Sequence, residues 1–190
     1  MNTKQKIKQS AKALIFREGK FDFRLSDISE KAEVAHSVLH YYFRTRMQLL
    51  STIEDEMITE FMENGKSWLI SDIPLREKVE LYISSSYQRL SVYPFADLYL
   101  LSRINAEIER YSEDFRNAIV RFSSEIKQAI RMKIIKSYQD PIHFIINMIS
   151  LTAHPFILTG FLYKTSVING SEVSNILEQQ KKLIIKNLFD

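Results

Sequence analysis

The spacing of apolar residues is helical along the whole chain. Ile7, Ala11, Leu14 and Ile15 follow the three-and-four spacing of one helix face, and Gly19 is placed to end that helix. Over 46–64 a second stripe holds Leu49, Leu50, Ile53, Met57 and Phe61, with a stop expected near Gly65. Asp72-Ile73-Pro74 is a capping and first-turn signal for a helix reaching about Val92. Pro94 opens another through about Tyr111, and Ser112 is suited to cap the next, on which Phe115, Ile119, Phe122, Ile126 and Ile130 form one stripe. Asp140-Pro141 starts a further helix that Pro155 should kink. After a turn at Asn169-Gly170-Ser171, the residues Val173, Ile176, Leu177, Ile184 and Leu188 mark a last helix over 171–189. No strand, repeat or low-complexity segment is visible, so the expected fold is all-α with about nine helices.

Between Leu25 and Phe43 the apolar positions fit two short helices and a tight turn, not one long helix. Leu25, Ile28 and Ala32 line the first, Val34 plugs the turn, and Val38, Leu39, Tyr42 and Phe43 face back from the second. Ser29 is small where the two must cross. This is the pattern of a helix-turn-helix, whose second helix enters the major groove of DNA. The outward side chains there are His36, Ser37, His40 and Tyr41, followed by Arg44, Thr45 and Arg46, and nothing acidic interrupts them.

Composition narrows the alternatives. With 45% hydrophobic residues in 190 the chain can bury a substantial core, while four glycines and four prolines leave little turn chemistry for a β-rich fold. Cysteine is absent, which removes disulfides, thiol nucleophiles and Cys-ligated metals. The glycines, at 19, 65, 160 and 170, are too far apart for a phosphate loop, and no Gly-x-Ser-x-Gly elbow occurs. His36 and His40 are four apart, but the Glu that a zinc-protease motif places after the first His is replaced by Ser37. His143 and His154 read as core or interface histidines, and Glu54-Asp55-Glu56 and the pair Glu107 and Glu109 as solvated helix faces. The expectation is a protein that is not an enzyme and has neither cofactor nor metal.

The net charge of +3 divides unevenly. Residues 1–50 hold ten Lys or Arg against five acids, giving +5, while 51–190 hold 16 basic and 18 acidic side chains, giving −2. A basic end on a near-neutral body suggests a contact for a polyanion. From Pro141 to Tyr163 there are 23 residues without formal charge, long enough to span a bilayer. His143, Asn147, Ser150, Thr152, His154, Pro155, Thr159 and Gly160 argue instead for a buried helix. The apolar run at the N-terminus is only Ala13 to Phe16, no secretory signal, so the default location is the cytoplasm.

The run Asp27-Ile28-Ser29, Ala32-Glu33-Val34 and Leu39-His40-Tyr41-Tyr42-Phe43-Arg44-Thr45-Arg46-Met47-Gln48-Leu49-Leu50 resembles the N-terminal DNA-binding domain of the tetracycline-repressor (TetR) family. The resemblance covers about Ile7 to Leu50. It implies a DNA-binding domain over 1–47 and a helical regulatory and dimerisation domain over 48–190. Phosphate contacts are expected from Arg24, Tyr41, Thr45 and Arg46, and base-edge contacts from His36, Ser37 and Val38, with Ser26 and His40 on the same surface. The chain departs from the family at the turn, where Gly is usual and Glu33 stands, so Glu33 is expected at positive φ with a cost of roughly 1 kcal/mol. His40 replaces the usual Tyr, and the cap of the first motif helix falls to Ser26 or Asp22.

Helices of the second domain are implied to surround a small-molecule cavity, for which Trp68, Tyr82, Tyr87, Tyr99, Phe122, Phe144 and Met148 are the candidate lining. A two-fold dimer reading a palindromic duplex is expected. Its interface is assigned to helices 141–163 and 171–189 through Ile149, Leu158, Phe161, Ile176 and Ile184. The resemblance implies a repressor whose operator-bound dimer is loosened by an effector. Two other readings stay open: a non-specific architectural DNA-binding protein, and a membrane-associated helical protein anchored by 141–163.

Overall fold

The structure is a computed structural model that describes residues 2–106 and 113–190. The expected cap Ser112, the expected helix end at Tyr111 and the pair Glu107 and Glu109 lie outside the described residues.

Nine helices make up the described chain: α1 (Thr3–Lys12), α2 (Leu25–Lys31), α3 (His36–Tyr42), α4 (Arg46–Leu69), α5 (Leu75–Val92), α6 (Ala96–Ala106), α7 (Glu113–Arg131), α8 (Pro141–Lys164) and α9 (Gly170–Phe189). Asn2 starts α1 by accepting the Gln5 N–H at 2.8 Å. The backbone then widens into a π-helical turn over Ala13–Arg17, which buries Leu14, Ile15 and Phe16 together. Gly19, at φ +72°, ends that element as expected, and its missing side chain admits the Phe95 ring, which a Cβ would meet at 3.0 Å.

Two apolar cores result. The first joins Ile7, Ile15, Phe16, Ile28, Leu39 and Phe43 to Leu49 and Ile53 of α4 and to Ala96, Leu100 and Ile104 of α6. It therefore continues well past residue 48. The second gathers Val79 and Ile83 of α5, Phe122 and Ile126 of α7, Phe144 and Met148 of α8, and Ile184 and Leu188 of α9. Because α4 contributes Leu69 to the second core, it runs through both. The Phe95 N–H donates to the Phe16 carbonyl at 2.9 Å, tying the chain just before α6 to the π turn.

Several expectations need correction. Gly65 does not stop α4, which continues to Leu69. Its role is steric, since a Cβ there would approach the Phe115 ring of α7 to 3.2 Å. Pro74, not Asp72, occupies the cap position of α5. Glu54 and Glu56 are not a solvated face. Glu54 is 7% exposed, accepts from the Tyr99 hydroxyl and lies 3.3 Å from Arg103 Nη2, while Glu56 takes Lys8 and Lys12 of α1, the latter at 3.0 Å. His143 and His154 are exposed, so neither is a core histidine.

Asp140 starts α8 by accepting the Ile142 N–H at 2.7 Å, and the helix runs on through Pro155. Only one of its faces is buried, through Phe144, Met148, Thr152, Phe156 and Thr159. Away from that face Ile142, Ile146, Leu158 and Phe161 are exposed, as is Tyr163 at the helix end. Of the described helices, α8 alone is long and apolar enough to cross a membrane, with 22% of its most apolar stretch buried. Asn169 caps α9 together with Glu172, whose carboxylate accepts the Asn169 N–H at 2.7 Å.

Candidate functional site

The helix-turn-helix is built from short-range constraints. Arg24 itself takes the cap position of α2, where Ser26 or Asp22 was expected, and the Asp27 carboxylate reaches back to the Arg24 N–H at 2.9 Å. That backbone hydrogen bond, with the Lys20 ammonium beside it, holds the Asp27 carboxyl below its ordinary pKa. Ser29 is buried where α2 meets α3 and donates to the Ser26 carbonyl at 2.9 Å. The turn closes with the Val34 N–H on the Ser29 carbonyl at 3.0 Å, and Glu33 sits at φ +49°. Lys6 Nζ of α1 pairs with the Glu33 carboxylate at 3.0 Å.

The second motif helix, α3, anchors itself through Leu39, which is fully buried, and through Phe43 just beyond its end. His36, Ser37, His40 and Tyr41 are exposed, Tyr41 at 81%. Val38, expected both to pack inward and to touch base edges, lies at 37% exposure and so is not core. The His36 and His40 rings stand 4.5 Å apart, edge to face. Ser26 and Arg24 at the start of α2 are exposed as well.

At the junction with α4 the Thr45 hydroxyl oxygen accepts the Gln48 N–H at 3.1 Å, and the Gln48 side chain accepts the Arg44 N–H at 2.9 Å. Arg46 is committed internally. Its Nη2 donates to the Phe21 carbonyl at 2.9 Å, and its guanidinium lies over the Phe23 ring at 4.4 Å. Arg44, expected among the outward side chains, is exposed just after α3, and its side chain is in no ion pair among the described residues.

Five of the ten cations in residues 1–50 are paired within the protein. Lys6, Lys8, Lys12, Lys20 and Lys31 pair with Glu33, Glu56, Glu56, Asp27 and Glu18 respectively. Partial burial alone would raise the Glu56 carboxyl, but hydrogen bonds from Lys8 and Lys12 outweigh it and the pKa falls.

A second feature is a cavity of about 210 Å³ between α4, α5, α6, α7 and α8. Of the expected lining, Trp68, Tyr82, Phe122 and Met148 are on its wall, and Phe61, Ile104 and Phe115 join them. The Trp68 ring packs against Tyr82 at 5.5 Å and against Phe122 at 5.4 Å. Tyr87, Tyr99 and Phe144 are not on this wall. Tyr87 packs on Phe156, Tyr99 bonds Glu54 in the first core, and Phe144 lies between Tyr138 and Phe189. Arg89 and Asp97 face the cavity as a bidentate pair, with Nε and Nη2 of Arg89 donating to the carboxylate at 2.9 and 3.1 Å. Burial first, and then the Asp97 charge, push the Tyr82 hydroxyl pKa up.

The expected interface residues also divide. Leu158, Phe161 and Ile176 are exposed at 56%, 62% and 37%. Ile184 is fully buried within its own chain and is unavailable to a partner, and Ile149 is half-buried on the cavity wall. Among the described residues no three metal-ligating side chains come together.

No family model matches the chain, and no curated protein matches its sequence. Solved structures share its fold. A TetR-family transcriptional regulator from Agrobacterium tumefaciens superposes with a TM-score of 0.59 at 16% identity, over 99% of this chain and 98% of that one. A TetR-family transcription regulator from Marinobacter aquaeolei superposes at 0.55 with 12% identity, over 99% and 96%. The regulator FadR from Bacillus subtilis, solved in complex with stearoyl-CoA, superposes at 0.53 with 17% identity, over 95% and 97%.

Proposed function

We propose that this chain, which has the all-helical fold of the TetR-family transcription regulators, works as one of them: a cytoplasmic, sequence-specific DNA-binding regulator. The observation that carries the reading is α3. The second helix of a helix-turn-helix, itself without an acidic residue, presents His36, Ser37, Val38, His40 and Tyr41 outward, with Arg44 just beyond its end and Arg24 exposed at the start of α2. Arg24, Arg44, Tyr41 and Thr45 are the positioning contacts to phosphates, and His36, Ser37 and Val38 read base edges.

One such helix offers few contacts, so the active species is a homodimer on a palindromic operator. The exposed apolar side of α8, extended by Ile176 and Leu183 of α9, is the surface for the two-fold contact. A membrane anchor would use the same face of α8, and separation of a cell lysate into soluble and membrane fractions distinguishes the two.

The reading includes a small-molecule effector held in the cavity between α4 and α8, as FadR was solved with stearoyl-CoA. An effector releases the operator only if it binds better to a spacing of the two reading heads that mismatches the half-sites. The test is a gel-shift series over the DNA upstream of the chain's own coding region. A specific, salt-sensitive complex is expected, and equal affinity for a scrambled duplex would reduce the protein to an architectural DNA binder.

A further inference from the structure

We infer that the cavity selects uncharged, flat aromatic molecules of one to two rings, an inference that rests on the effector reading above and gives it a chemical class. Size sets the first limit. An apolar protein cavity of about 150 Å³ takes up benzene, so the roughly 210 Å³ between α4, α5, α6, α7 and α8 suits a somewhat larger ring system.

The enclosed part of the wall is aromatic and aliphatic. Trp68, with Tyr82 and Phe122 set at angles to its ring, provides faces and edges for another aromatic ring. Leu69, Ile104 and Met148 complete the buried surface.

Charge sets the second limit. Among the described residues, the two ionised groups in the enclosed wall, Arg89 and Asp97, are matched to each other, and both carboxylate oxygens are taken. Arg89 Nη2 also contacts Ser86 Oγ at 3.3 Å, and the guanidinium lies 5.1 Å from the Phe61 ring centre. Asp97 is 2% exposed, so a ligand cation would compete with Arg89 for it in a dry site, and a ligand anion would have to draw Arg89 away and leave Asp97 uncompensated. The Ser85 hydroxyl is occupied by the Tyr82 carbonyl at 3.0 Å. Of the other polar wall residues, Asn64 and Arg116 are solvent-exposed at the rim. Within the enclosed wall, an uncharged ligand leaves these pairings intact.

Three probes of equal ring system test this by calorimetry on the full chain: naphthalene, 2-naphthoate and 2-naphthylmethylammonium. Trp68 is the single tryptophan, so its emission reports filling of this cavity. Naphthalene is expected to change that emission and to bind at least about tenfold more tightly than either ion, as the cost of burying a charge requires. Leu101 is on the wall but 39% exposed, so a charge there is expected to reach solvent, and a thermal melt of each variant checks that it folds. Leu101→Arg should shift the preference toward naphthoate, and Leu101→Glu toward the ammonium. Tighter binding of either ion by the unaltered chain, no naphthalene binding, or no response to both Leu101 variants would overturn the inference. Duplex binding by the ligand-free chain is measured alongside. If duplex binds and naphthalene does not, this inference alone fails. If no duplex binds, it is the regulator reading that fails.

Discussion

Arg46 donates to the carbonyl oxygen of Phe21 at 2.9 Å, which fixes the start of α4 against the loop before α2. Arg46→Ala removes this hydrogen bond and the stacking on Phe23, and should cost about 1–2 kcal/mol in chemical denaturation. Its effect on DNA is therefore mixed with its effect on the fold, and Arg44 is the cleaner probe. Arg44→Ala should weaken all duplexes alike without lowering stability, whereas His36→Ala should change the preferred sequence by about 1–3 kcal/mol at one position. Equal behaviour of the two variants in binding to randomised duplexes would remove the division between positioning and reading contacts.

Glu33 holds φ +49° in the turn of the motif, where a side chain costs roughly 1 kcal/mol. The Lys6 pair it makes is exposed, with 82% of the Glu33 side chain open to water, and such pairs contribute little. Glu33→Gly should therefore raise stability by up to about 1 kcal/mol. Glu33→Gln, which keeps the backbone strain, should not, and thermal unfolding of the two variants separates the effects.

Among the described residues the buried Tyr87 hydroxyl has no hydrogen-bond partner, and burial, followed by the Glu178 charge, pushes its pKa up to about 12. Tyr87→Phe keeps the edge contact with Phe156 and deletes the orphaned group. A gain of about 1 kcal/mol in unfolding free energy is expected. A loss instead would mean that the hydroxyl has a partner in solution.

Glu56 has its folded pKa lowered from the ordinary 4.5, so its pairing with Lys8 and Lys12 is fully present above that value and is lost as pH falls through the folded pKa. The Glu56→Gln variant should be less stable than the unaltered chain at neutral pH. The gap should close in acid, and unfolding midpoints measured across pH 3–7 check both the sign and the window, roughly bracketing the ordinary carboxylate range.

Leu158 and Phe161 project from the exposed side of α8. A charge at either, as in Leu158→Lys or Phe161→Asp, should give monomers in sedimentation and abolish binding to a palindrome. Ile149→Lys, a cavity-wall change, is not an equivalent test. Retention of a dimer in both α8 variants would move the two-fold contact elsewhere.

The helix-turn-helix was readable because its signals lie within a few residues of one another. The break in helical spacing between Leu25 and Phe43 marks α2 and α3 within their true bounds. What failed required knowing which way a helix is turned. Tyr82 and Tyr87, five apart, are rotated by about 140°, so they do not face one cavity together. Ile176 and Ile184, eight apart, are about 80° from alignment, and one packs inward while the other stays exposed. Consecutive residues differ by about 100°, which is why Glu54-Asp55-Glu56 could not act as a single solvated face. Gly65 was misread as a stop because the side chain that needs its space, Phe115, is fifty residues away.

The internal pairing of the lysines bears on how many counterions DNA would release on binding this protein. Formal charge assigns ten cations to the first fifty residues. Lys6, Lys8, Lys12, Lys20 and Lys31 already have carboxylates as their counterions, and Arg46 is held by a carbonyl. Those of the ten with no such partner among the described residues are Lys4, Arg17, Arg24 and Arg44. Each phosphate neutralised contributes about 0.9 to the slope of log affinity against log salt. A slope set by these residues would thus be less than half of what the basic composition suggests, and a steeper one would count the carboxylates that give up their lysines when the duplex arrives.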